Sequence, residues 1–297
     1  MLSLRIHPRF VASLVCVTLS AILLMPLSAS AQTSSSSDAA DSAIDDEPHT
    51  SRLLFSNTAR PLGADEVYVS LSSIVVPQLG YGVTDRVSVE IGGQFIPEIE
   101  PKLFYIDPTV QLWQRDNLYV AAGSRLSMVR GRRYAVGSTY SEVVEIDRRG
   151  VIHDSWDAYW QPEVRATVAG SGGALTGGVG LHVSTAGSDP DGSYLQSAYL
   201  RIGAELQLLS WMRFISESEV HGGYTDRVLF NVDTPGSGSD TQVVESTGAY
   251  LQSANALRLH GDHFATEIGI GVQALTDPVL STNDSSLFGI VRFMYQF

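Results

Sequence analysis

Cysteine is almost absent from this 297-residue chain. The single one, Cys16, lies in an apolar N-terminal stretch. The remainder therefore has neither disulfides nor thiolate metal sites to draw on. Lysine is as scarce: Lys102 is the only one, and nearly all positive charge is arginine. The formal net charge is −13, which argues against nucleic-acid partners. Acidic, lysine-poor composition fits either a saline habitat or plain genome bias. Beyond the N-terminus there is no long apolar run, which excludes a helical membrane protein. Spanning by strands stays open, because a barrel strand needs only about 9–11 residues with every second one apolar. The mean hydropathy of +0.06 suits such a chain.

The N-terminus reads as an export signal. Arg5 and Arg9 precede an apolar stretch, and Ala29-Ser30-Ala31 forms a small-x-small cleavage site. Residues 1–31 are thus expected to be a secretory signal peptide. A membrane anchor is the competing reading, but the apolar run is short for a span of about 20 residues. Residues 32–50 are Ser, Asp and Ala with little to bury, which predicts a disordered leader. Residues 51–64 differ: Leu53, Leu54 and Phe55 form an apolar patch before Pro61. They are expected to form an ordered lead-in docked at the rim of a fold spanning residues 65–297.

From residue 65 onward apolar and polar residues alternate. Val87, Val89 and Ile91 oppose Ser88 and Glu90. Phe104, Ile106, Val110 and Leu112 oppose Tyr105, Asp107, Thr109 and Gln111, and Trp160, Val164 and Val168 oppose Glu163, Arg165 and Thr167. Period-2 patterning of this kind predicts strands. Connections alternate strictly between short and long, as antiparallel barrel strands require. Residues 67–83 alternate throughout and are read as a hairpin bent near residues 73–77. The expectation is an all-β transmembrane antiparallel up-and-down barrel of about 12 strands, with 10 and 14 left open. Thr225 to Val228 echoes the Thr84 to Val87 turn and is expected to turn a hairpin standing on an outer loop.

The apolar face is expected to meet lipid, since an arginine facing mid-membrane hydrocarbon costs roughly 2–4 kcal/mol. The opposite face supplies the lumen-lining candidates: Arg86, Glu90, Asp107, Arg125, Glu163, Arg165, Arg201, Glu205, Arg213, Glu217, Glu219, Arg258, Glu267 and Arg292. They line a watery passage or pair into a network that fills a narrow interior. Inward glycines such as Gly92, Gly123, Gly178, Gly180 and Gly203 argue for some room.

Other chemistry is thin. The glycine-rich runs precede no helix, so they are not phosphate loops. Asp189 to Ser193 resembles the start of a calcium loop without its remaining ligands. His260 to His263 reads as a solvated turn rather than a metal site. His182 is the one histidine expected inside the lumen, and no Ser–His–Asp cluster can be assembled from spacing. The expectation is a non-enzyme without metal or cofactor. Arginines in residues 129–157 are either solvated loop residues or contacts for lipopolysaccharide phosphates.

Residues 287–297 end the chain on an alternating apolar stretch with Phe293, Tyr295 and Phe297. This resembles the terminal strand of bacterial outer-membrane β-barrels. The resemblance implies an outer-membrane address in a Gram-negative bacterium and an assembly signal at those three residues. It further implies barrel-assembly machinery and outer-membrane lipid, including lipopolysaccharide, as partners. Residues 52–63 and 81–92 look like segments of a Bacteroidetes-type family of envelope barrels, and the Tyr81 to Arg86 turn is similar to one in porin-like families. The functional expectation is a porin-like passive channel or narrow pore for small solutes. Its alternatives are a closed barrel acting structurally or through its loops, and, less favoured, an outer-membrane enzyme.

Overall fold

The computed structural model describes residues 51–72, 76–94, 102–130, 156–186, 194–234, 238–277 and 282–297. The expected signal peptide, the expected leader and most of the long connections lie outside them. Twelve strands follow one another: β1 (Val67–Ser72), β2 (Val76–Thr84), β3 (Val87–Gln94), β4 (Lys102–Arg115), β5 (Leu118–Arg130), β6 (Trp156–Gly170), β7 (Gly173–Ala186), β8 (Tyr194–Leu209), β9 (Met212–Thr234), β10 (Gly238–His260), β11 (Phe264–Asp277) and β12 (Thr282–Gln296). Each pairs antiparallel with its sequence neighbour, and β12 returns to β1, closing the barrel. Closure pairs Leu71 with Phe293 and Val69 with Tyr295. No edge strand is left, so every strand finds partners on both sides.

The alternation read in the sequence decides the two faces. Val69, Ile91, Ile106, Val110, Val164, Val179, Leu200 and Ile268 are exposed on the outside. Their neighbours Ser70, Glu90, Tyr105, Asp107, Glu163 and Glu267 are buried within. Four inward rings lie across a glycine directly opposite: Tyr68 on Gly80, Tyr105 on Gly92, Tyr199 on Gly180 and Phe288 on Gly271. A Cβ at any of these glycines would fall within 2.6 Å of the facing ring. These four glycines therefore leave no open space; they are the beds of aromatic side chains, while Gly123, Gly178 and Gly203 lie under Arg165, Glu163 and Leu53.

β9 and β10 depart from expectation. Each runs 23 residues, against 14–16 for β6, β7, β8, β11 and β12. β8 pairs with β9 only up to Gly222, and β11 with β10 only up to Ala249, so the outer parts form a two-stranded ribbon beyond the barrel. Thr225 to Val228 lies inside this ladder, paired to Val244 through Thr247, and turns nothing. A register shift at Gly248/Tyr250 marks where the ribbon leaves the wall. Gly223, opposite that shift, has φ +65, a conformation that glycine adopts without steric cost.

Candidate functional site

Residues 51–62 do not dock at a rim; they run inside the lumen. Arg52 and Asn57 form an antiparallel bridge, Leu53 N–H donates to Ser56 O at 2.8 Å, and Thr58 N–H to Ser51 O at 2.7 Å. The segment is thus a small hairpin with Leu53, Leu54 and Phe55 at its tip. Leu53 and Leu54 are 1% and 0% exposed and pack with Ile215, Ala254, Ala256 and Ile290. Burying two leucines contributes roughly 1.5–3 kcal/mol each. Phe55 faces Phe288 across 6.0 Å between ring centres.

A turn buried in this way has carbonyls that no ladder satisfies, and each needs a donor. Arginines from three strands supply them. Arg258 Nη2 donates to Arg52 O at 2.9 Å, and Arg292 Nη1 to Leu53 O at 3.1 Å. Arg292 Nη2 also donates to Leu54 O, and Arg125 Nη2 to Phe55 O at 3.3 Å. On the donor side, Phe55 N–H and the Ser56 hydroxyl both reach Glu217 at 2.7 Å. Nearer the barrel end, Ala59 N–H donates to Thr167 Oγ1 at 2.8 Å. Arg52 pairs with Glu90, which also accepts from Tyr68 and, at 2.6 Å, from Tyr105.

The predicted lumen residues come together in a connected lattice. Asp107 pairs with Arg125 at 2.9 Å, and Glu163 with Arg201 at 2.5 Å and Arg165 at 3.7 Å. Glu205 takes Arg213 at 2.5 Å and Arg258 at 3.5 Å. Glu267 lies between Arg258 at 2.6 Å and Arg292 at 3.0 Å. Arg201 spans Glu217 at 3.5 Å and Glu219. Arg86 is the exception. It sits exposed in the turn between β2 and β3, because β3 begins one residue later. Phe293, Tyr295 and Phe297 lie exposed at the C-terminal end of the last strand, on the short-turn side.

Beyond the hairpin tip lies a cluster that sequence spacing could not assemble. His221 on β9 is buried facing the lumen, so His182 is not the one inward histidine. His221 Nδ1 is 2.7 Å from Ser197 Oγ, and its Nε2 contacts Glu219 Oε1. Tyr199 stacks on its ring at 5.2 Å, and Tyr250 meets it edge-on at 5.1 Å. Ser197 and His221 are 24 residues apart and meet only through the β8–β9 register. The signal available was parity: His221 follows Glu217 and Glu219 at the same alternation. Among the described residues, no group of three His, Cys, Asp or Glu is arranged to hold a metal.

No family model and no curated protein matches the chain. Nothing found supports the likeness to Bacteroidetes-type envelope barrels. Among solved structures, the chain is similar to outer-membrane expressed OmpT of Vibrio cholerae, at 10% identity and a TM-score of 0.36. It is likewise similar to the in-vitro folded form of OmpT, an outer membrane protein of Vibrio cholerae, at 12% identity and a TM-score of 0.33. Each comparison covers 75% of this chain, which spans 64% of the length of those proteins.

Proposed function

We propose that this chain is an outer-membrane β-barrel closed by its own N-terminal hairpin, and not a standing passage for small solutes. The membrane reading is supported by the outward apolar belt, whose described side chains carry no charge away from the turns. It is supported further by aromatic rims: Tyr81, Trp113, Trp211, Phe264, Tyr295 and Phe297 on the short-turn side, Phe104 and Trp160 toward the other. Tryptophan and tyrosine settle at membrane–water boundaries, where ring and polar tip are both accommodated. The short turns then face the periplasm, the hairpin enters from there, and the terminal aromatic residues are presented to assembly machinery.

One observation carries the closure. Four successive carbonyls, from Arg52 to Phe55, each receive a lumen arginine, while Leu53 and Leu54 fill the space between the walls. A segment passing at random through a watery pore would leave those carbonyls to solvent. Of the alternatives weighed from sequence, this favours the closed barrel over the porin-like channel. Planar-bilayer recordings test it: the intact chain should give no steady conductance, and a chain lacking residues 51–62 should give discrete steps. Steady steps from the intact chain would overturn the reading.

A further inference from the structure

The cluster beyond the hairpin has an order that a filling network does not require. Glu219 and His221 lie two residues apart on β9, so both face the lumen. Arg201 Nε donates to Glu219 Oε2 at 2.7 Å, keeping the carboxylate ionised and fixed. An ionised carboxylate only accepts hydrogen bonds. Its contact with His221 Nε2 therefore sets the imidazole proton on that nitrogen. In the neutral ring Nδ1 then keeps its lone pair, and the Ser197 hydroxyl, 2.7 Å away, is placed to donate to it. A serine donating to a neutral imidazole that a carboxylate orients is how a nucleophile is activated. Tyr199 and Tyr250 hold the ring on two sides. His182 stands directly across the ladder from Ser197, and its Nδ1 is buried without a hydrogen-bond partner.

We propose that Ser197, His221 and Glu219 form a hydrolytic site for a small carboxylic ester reaching the lumen from the end opposite the hairpin. Ser197 Oγ attacks the acyl carbon while its proton passes to His221 Nδ1. The ester C–O bond breaks, and the alcohol leaves with that proton. Water then attacks the acyl-serine, again losing its proton to His221, and the acid departs as Ser197 is restored. Ester and water become acid and alcohol, with no oxidant or metal. His182 Nδ1–H supplies a donor for the oxyanion, and Glu219 is a positioning residue. The site does not depend on whether the barrel conducts, so its test is separate from the bilayer recordings.

The test is labelling of the folded full chain in detergent with a fluorophosphonate, followed by peptide mapping. Adduct is expected on Ser197. Ser197→Ala should abolish it, and Glu219→Gln should slow it by on the order of 10³–10⁴-fold with a displaced pH profile. Turnover of p-nitrophenyl acetate should follow the same order. Heat-dependent gel migration reports that each variant is folded. The decision rests on the wild type: a folded chain whose Ser197 stays unmodified, or that is modified elsewhere only, overturns the proposal.

Discussion

Gly203 on β8 is the seat of Leu53. A Cβ placed on Gly203 would stand 2.1 Å from Leu53 Cδ1. The wall thus carries a notch where the hairpin tip carries a fully buried leucine.

Filling that notch should loosen the closure. Gly203→Leu is expected to cost about 1–3 kcal/mol by overpacking and to give intermittent conductance in bilayers. Leu53→Ala placed on that background should recover part of the loss, because it empties the volume the new side chain needs. A double-mutant cycle in urea measures the coupling, and additive effects would separate the two residues.

Arg292 binds the hairpin and the wall together, donating to Leu53 O and Leu54 O while pairing with Glu267 at 3.0 Å. Arg292→Ala leaves the buried Glu267 with Arg258 alone and removes the donor to two buried carbonyls. A loss of about 3–5 kcal/mol in urea unfolding is expected. Arg292→Lys, which keeps a cation beside Glu267, should lose less than Arg292→Ala.

Gly82 is where the incoming chain crosses β2. A Cβ there would lie 1.7 Å from Gly63 O, a backbone atom that cannot rotate away. Asp65 N–H donates to Gly82 O at 2.9 Å, and Gly82 N–H to Glu66 O at 2.8 Å. Gly82→Ala should force the crossing apart, and limited proteolysis should then cut within residues 51–64 faster than in the wild type while the strands stay protected.

Tyr105 joins wall packing to the interior lattice. Its ring covers Gly92, its hydroxyl donates to Glu90 at 2.6 Å, and Arg125 lies over it at 4.9 Å. Tyr105→Phe keeps the ring and should cost about 1.5–3 kcal/mol, the range for a hydrogen bond to a charged group. Tyr105→Ala should cost about 3–5 kcal/mol, as for other large core truncations.

Much of the barrel was legible because strand parity and membrane cost point the same way. Residues such as Val89 and Glu90 can occupy only opposite faces once one of them must meet hydrocarbon. The pairing of the last strand with the first followed from the same alternation. What escaped was everything decided across strands. Arg86 has lumen parity, yet it falls in the two-residue turn after Thr84, so its side chain is exposed at the barrel end. The Leu53–Phe55 patch was visible, but its place inside depends on a notch at Gly203 and on arginines from β5, β10 and β12. The inward glycines suggested room, and only the register shows that rings, Leu53 and charged side chains of the lattice fill it. Ser197 and His221 were separated by a turn that sequence alone left unregistered.

Closure of the barrel turns on Leu53 occupying the Gly203 notch in the folded protein. Cys16, within the expected signal peptide, is the sole native cysteine, so a mature chain carrying Leu53→Cys and Gly203→Cys would have only the engineered pair. Mild oxidation of the folded protein, followed by peptide mass mapping, measures the proximity directly. A near-complete disulfide between positions 53 and 203 is expected, formed without unfolding. Two free thiols in the folded protein, both reacting with a polar maleimide and forming no cross-link, would contradict it.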